Sequence, residues 1–235
     1  VIIGGGVSGC SVAYHLAKLG WTDIVLLERK QLTCGTTWHA AGLIGQMRAS
    51  VNMTRLAKYS ADLYVKLEAE TGIGTGMRQC GSITVALTED RKTEIYRQAS
   101  VARALNVGAR EISPQEVKEM YPHLNGSAVA GAVHLPLDGQ CDPANIAMAL
   151  AKGARKRGAK IFEQTKVTAV HKANGRVTGV SWKQGDDEGR IDADVVVNCA
   201  GMWARDLGAM SGVSVPLHAC EHFYLVTEPV EGLTR

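Results

Sequence analysis

The sequence lacks any apolar run long enough to span a bilayer. Its longest apolar stretches are short and broken by glycine or charge, which suits buried strands. It has little net charge, +3 at pH 7, so nothing points to nucleic acid or an anionic membrane as partner. It has no Cys-x-x-Cys pair. The cysteines at 10, 34, 80, 141, 199 and 220 stand among glycine and apolar neighbours. They read as reduced core or near-core thiols in a reducing compartment, not as an extracellular disulfide framework. No internal repeat is visible, and the one biased stretch is the short charged turn Gly185–Arg190. No Met opens the chain: Val1-Ile2-Ile3-Gly4 reads as part of a strand, and Gly232-Leu233-Thr234-Arg235 supplies no closing element. The expectation is a fragment cut at both ends, so the lack of a targeting peptide carries no information. What is present is an ordinary globular composition, 46% hydrophobic over 235 residues, enough for one large or two small cores.

Residues 1–28 read as a βαβ start. Val1-Ile2-Ile3 ends a buried strand, and Gly4–Gly9 is a tight turn. Val12, Leu16 and Leu19 recur at helical spacing up to Gly20, and Ile24–Leu27 is a second buried strand ending at Glu28. Residues 31–48, rich in Gly, Thr and Ala, predict a loop with a short helix. Helices are predicted over 52–70, 89–106 and 114–120, the last opened by Ser113-Pro114-Gln115-Glu116. Ser82–Leu87 and 128–135 have strand character. Asp142-Pro143 opens a helix to about Gly158, and Lys160–Phe162 is a short strand. Val167–His171 and Arg176–Trp182 flank Asn174-Gly175, a strong hairpin signal. Asp194–Ala200 reads as a continuous apolar strand, and 214–227 as strand again.

Gly4-x-Gly6-x-x-Gly9 between a strand and a helix has the form of a dinucleotide fingerprint. Gly4 allows the tight turn, Gly6 the approach of a pyrophosphate, and Gly9 the close packing of helix on strand. The helix N-terminus offers free N–H groups and a partial positive charge. Glu28, 19 residues after Gly9, ends the second strand, where a carboxylate can accept from both ribose hydroxyls and would repel a 2′-phosphate. Glycines alone are a weak signal; the combination is strong.

A hairpin between the halves of a nucleotide-binding domain, then a strand ending in Ala200-Gly201, resembles the glutathione-reductase type of FAD domain. The segment Leu32-Thr33-Cys34-Gly35-Thr36-Thr37-Trp38-His39-Ala40-Ala41-Gly42-Leu43 resembles the flavin-attachment segment of the dimethylglycine and sarcosine dehydrogenase family. Pro136–Pro143, Asn198–Ala204 and His222–Thr227 match the same family in the same order. The resemblance implies an α/β fold: a Rossmann-like FAD-binding domain with a β-hairpin insertion (1–75 and 138–212) and part of a mixed-sheet substrate domain (76–137 and 213–235). It implies FAD bound covalently through His39 to its 8α carbon. Val7 and Ser8 are then expected at the pyrophosphate, Glu28 and Arg29 at the adenosine ribose, and Gly35, Thr36, Thr37, Ala40, Gly42 and Leu43 along the pyrophosphate and ring. Val167 is expected by the adenine, Gly201 at the strand end, and Trp203 close to the flavin. The alternative for His39 is a loop or core histidine satisfied by hydrogen bonds, for Val167 core packing, and for Trp203 a helix-start aromatic packed on the sheet.

His218-x-Cys220-x-His222 invites a metal reading. On a strand, three same-face ligands span about 13 Å, too far for one ion without a bend, and no fourth ligand is evident. No metal is therefore expected. The resemblance instead puts His222 by the substrate, where it assists amine binding or deprotonation. The implied reaction is oxidative demethylation of an N-methyl glycine by hydride transfer to the flavin, in choline and one-carbon metabolism. The carbon leaves as formaldehyde or passes to tetrahydrofolate on a C-terminal domain not contained in this chain. The acceptor is open between oxygen, an electron-transfer flavoprotein and a quinone, and the bacterial cytoplasm or mitochondrial matrix is the expected location. Two alternatives stay open: a non-covalent FAD oxidase of another amino acid, and a non-catalytic FAD-binding subunit.

Overall fold

The computed structural model describes residues 1–223 and 225–231. Its elements begin with β1 (Ile2–Ile3), α1 (Val7–Lys18), β2 (Val25–Leu27), β3 (Leu43–Ile44), α2 (Val51–Thr71), β4 (Ser82–Ala86), α3 (Glu89–Ala104), β5 (Arg110–Ile112) and α4 (Pro114–Met120). They continue with β6 (Gly131–Leu135), β7 (Gly139–Gln140), α5 (Pro143–Arg155), β8 (Lys160–Phe162), β9 (Lys166–Ala173), β10 (Arg176–Gln184), β11 (Asp187–Asp192), β12 (Val197–Asn198) and α6 (Ala204–Met210). They fall into two units. Val1–Gly42, Tyr64–Gly76 and Cys141–Ala219 make the first; Leu43–Leu63, Met77–Gln140 and Cys220–Arg235 make the second. Among the described residues no helix is long and apolar enough to cross a membrane.

In the first unit a parallel sheet runs in the order β12-β1-β2-β8. Strands covered on both faces need apolar side chains throughout, and Ile2, Ile3, Leu26 and Leu27 are all buried. Helices α1 and α5 pack closely because of one small residue: at Gly153 a Cβ would come within 2.7 Å of the buried Tyr14 ring. Helix α5 begins at the predicted cap, where Asp142 accepts from the Asn145 N–H at 3.0 Å and Pro143 opens the helix. A second, antiparallel sheet has the order β11-β10-β9. Its β9–β10 turn is Asn174-Gly175 with φ of 52° and 75°, the doubly left-handed pair such hairpins need. Val167 and Val180 of this sheet, Leu207 of α6, and Ile3 and Leu27 at the carboxyl ends of β1 and β2 form one apolar cluster. The hairpin sheet and α6 are thereby fixed beside those strand ends.

In the second unit β4, β6 and β5 form an antiparallel sheet in the order β4-β6-β5. Ile95, Ala99 and Ala102 of α3 pack with Ala86, Val133 and Leu135, and Val117 of α4 packs with Ile112, Val129 and Ala132. Strands β3 and β7 pair antiparallel, and Asp138, buried before β7, accepts from the Gln46 N–H at 2.9 Å and the Ser82 hydroxyl at 2.6 Å.

Four expectations are corrected. The described residues of 214–227 form no strand, and Phe223, Leu225 and Val226 stand over 80% exposed at 86%, 86% and 82%. Alternation makes a strand only where a sheet edge accepts its ladder. Within Asp194–Ala200 only Val197–Asn198 is strand, because its partner β1 is just Ile2–Ile3. The charged stretch at 185–190 is not merely a turn: Gly185, at φ 60°, reverses the chain and Asp187–Asp192 adds a third strand to the hairpin. Its charges point outward on an edge strand, where solvent costs them nothing. Finally, the cysteines are not uniformly near-core, since Cys34, Cys80 and Cys220 are exposed.

Candidate functional site

The first unit holds a cavity of about 480 Å³ beside the carboxyl ends of β1 and β2, the place where open α/β sheets bind ligands. Its floor follows from the glycines. Gly4 has φ 110°, and a Cβ there would strike the Cys199 carbonyl oxygen; one at Gly9 would strike the Gly4 carbonyl oxygen. Gly6 stands at the N-cap of α1 without a capping side chain. The cap comes instead from 30 residues away: Thr37, buried, accepts from the Val7 N–H at 3.0 Å. The Ser8 and Gly9 N–H groups have no partner among the described residues, as expected for an open first turn.

Glu28 is buried, and main-chain donors hold its carboxylate. The Gly5 N–H donates to Oε2 at 2.6 Å and the Lys30 N–H to Oε1 at 2.9 Å, with the Cys34 thiol at 3.8 Å. Each carboxylate oxygen can still accept another hydrogen bond. The neighbouring Arg29 is exposed, and its guanidinium lies 3.7 Å over the Trp203 ring. Burial pushes the Cys10 thiol up to about 12 and raises that of Cys199. Both stay protonated near neutral pH and are poor nucleophiles.

Of the expected binding residues, Gly4, Gly6, Val7, Ser8, Glu28, Arg29, Gly35, Thr36, Thr37, Ala40, Val167, Gly201 and Trp203 line this one cavity. Gly9 lies behind it, in the packing of helix on turn. His39 ends the 3-10 turn Thr37–His39, exposed and outside the cavity wall, its ring 3.8 Å from that of Trp38 and tilted by 32°. Gly42, at φ 75°, lies against the Cys141 carbonyl oxygen, where a Cβ would collide. Leu43 and His222 belong to the second unit and are exposed; His222 lies outside any regular element. The same-face strand geometry of His218, Cys220 and His222 therefore does not form, and no metal-holding group of side chains occurs among the described residues.

Sequence reading missed several wall residues. Thr165, Lys166, Asp206, Leu207 and Met210 line the cavity, brought there by the start of the hairpin and by α6. It also missed the cap given by Thr37, for which no local signal exists.

The residues present fit a dinucleotide: an open helix N–H group at Ser8, a turn that admits no Cβ, an acidic group and an uncommitted guanidinium in one cavity. The comparisons agree. The family described as FAD dependent oxidoreductase matches residues 1–235. The chain is 45% identical over 231 residues to the mouse (Mus musculus) mitochondrial pyruvate dehydrogenase phosphatase regulatory subunit, covering 97% of this chain and 26% of that protein. It is 43% identical over 239 residues to human (Homo sapiens) mitochondrial sarcosine dehydrogenase, covering 99% and 26%. The crystal structure of L-proline dehydrogenase from P. horikoshii matches with a TM-score of 0.82 at 30% identity, over 90% of this chain and 55% of that one. The chain thus spans about a quarter of the length of those two relatives. A fingerprint turn closed to any Cβ, set in a fold shared over nearly the whole chain, places this protein in the FAD dependent oxidoreductase family.

Proposed function

We propose that this chain is the FAD-binding part of an oxidoreductase acting on the CH–NH group of N-methyl glycines, sarcosine or dimethylglycine, with its flavin covalently attached at His39. The observation that carries the proposal is the Thr37 hydroxyl on the Val7 N–H. It ties the turn bearing His39 to the helix terminus that would hold the pyrophosphate. FAD supplies the two-electron acceptor when bound; the rest is done by the chain. The Ser8 N–H would donate to a phosphate oxygen, with Val7 kept in place by Thr37. Glu28, oriented by Gly5 and Lys30, accepts from ribose hydroxyls. The imidazole of His39 would supply the nitrogen nucleophile for attachment. The first unit is read as the FAD domain and the second as the beginning of the substrate domain. There His222 takes the proton of the substrate amine, which must be neutral to release hydride. Sarcosine dehydrogenase as a relative supports the substrate class. An electron-transfer flavoprotein as acceptor, tetrahydrofolate on a further domain, and a mitochondrial matrix or bacterial cytoplasmic location belong to the same proposal.

The test is acid precipitation of the purified protein and its His39→Ala variant, followed by intact mass and flavin absorbance of the pellet. One FAD mass on the wild type and none on the variant is expected. Flavin that washes out of the wild type would overturn attachment and reopen the substrate.

A second reading has its own support: the mouse relative is named a regulatory subunit. Here FAD would be a structural core without turnover. Anaerobic addition of sarcosine or dimethylglycine decides between the two, because bleaching of the flavin band excludes a purely structural cofactor.

A further inference from the structure

Glu28 and Arg29 are chain neighbours held in opposite ways. The Glu28 carboxylate is gripped by main-chain N–H groups. The Arg29 guanidinium has no hydrogen bond or ion pair among the described residues and is held by stacking alone, 3.7 Å over Trp203. Stacking occupies a face of the guanidinium and leaves its in-plane N–H donors uncommitted. Asp206 also lines the cavity, but it does not pair with Arg29. Trp203 has a defined seat. Its backbone N–H donates to the Ala200 carbonyl at 3.0 Å in the 3-10 turn, and a Cβ at Gly35 would meet its ring at 3.6 Å.

A long, charged, exposed side chain samples many rotamers unless a surface selects one. Here that surface is an indole, and the arginine it selects lines the same cavity as the open turn of α1. A planar fork of donors with no internal acceptor suits phosphate or ribose oxygens. We infer that Trp203 is a positioning residue for Arg29: it stacks the guanidinium so that its edge meets the phosphate–ribose part of a dinucleotide, and does not itself contact the flavin ring. The inference rests on the cofactor reading above and departs from the expectation that Trp203 lies by the flavin.

The test uses the full chain carrying His39→Ala, so that loading is reversible, with FAD and ADP as calorimetric probes. ADP has the phosphates and ribose but no flavin. Trp203→Leu and Arg29→Leu should each weaken both probes by about tenfold, and Trp203→Phe, which keeps an aromatic face, by less than about threefold. The double variant should bind no more weakly than Arg29→Leu alone, and both single variants should flatten the salt dependence alike. Three results would overturn the inference: additive losses in the double variant, a Trp203→Leu loss confined to FAD, or no loss at all. A Trp203→Phe variant that folds and binds separates these from simple misfolding. If the His39→Ala protein with Arg29 and Trp203 intact binds neither FAD nor ADP, the cofactor reading itself fails and the inference with it.

Discussion

In α5 the first turn is closed by its own residues: Asp142 accepts from the Asn145 N–H, and Pro143 contributes no N–H that needs a partner. In α1, in the same unit, the first turn is left open. Gly6 brings no side chain, a distant threonine takes one N–H, and Ser8 and Gly9 face the ligand cavity or its backing unpaired. The physics of the two termini is the same, with orphan donors and a positive dipole end. Where the chain satisfies those donors itself, the terminus serves stability. Where it withholds a cap and keeps the space free of Cβ atoms, the terminus is available to an anion.

The largest way to break this comparison is Gly9→Ala. Its Cβ meets the Gly4 carbonyl oxygen, which is backbone and cannot swing aside. A loss of ~3 kcal/mol, at the top of the range for overpacking, should appear in denaturant unfolding together with loss of flavin. Next is Thr37→Val, which keeps shape but leaves the Val7 N–H without its acceptor. It should cost ~1 kcal/mol of stability and also lower flavin incorporation, measured by absorbance per protein. Asp142→Ala is the control at the other helix. A similar ~1 kcal/mol from the lost cap should come with flavin content unchanged; a matching loss of flavin would show that the two termini are not functionally distinct.

The smallest effect is expected at a third terminus. On α4 the backbone N–H of Ser113, then Arg110 and the Ser113 hydroxyl, hold the Glu116 carboxyl at about 2, below its ordinary 4.5. A depressed carboxylate stabilises above its unfolded value. Its contribution is therefore present above about 4.5 and lost as pH falls toward about 2. The Glu116 carboxyl lies at the surface, so the effect is slight. Glu116→Gln should lower the melting temperature a little at pH 7, and the two curves should converge near pH 2.

The site was legible wherever its signals were local. The glycine turn, the acid at the end of β2, the Asp142-Pro143 start and the Asn174-Gly175 hairpin each depend on a few adjacent residues and their intrinsic φ preferences or missing donors. The strand at 187–192 was not legible, because its polar residues are held by a ladder to β10 and not by burial. Nor was the absence of a strand among the described residues of 214–227, whose alternation lacks a neighbouring edge.

The sequence by itself determined the βαβ start, the open turn of α1 and the capped starts of α4 and α5, since these follow from side-chain chemistry within one or two turns of chain. Tertiary structure alone decided that Thr37 caps a helix 30 residues behind it, that Gly5 engages the Glu28 carboxylate, and that Trp203 stacks on Arg29. Those contacts join residues far apart in the chain. They exist because the apolar cluster of Ile3, Leu27, Val167, Val180 and Leu207 meets the entropy of closing the loops between them, and no local pattern records which polar groups that burial brings together.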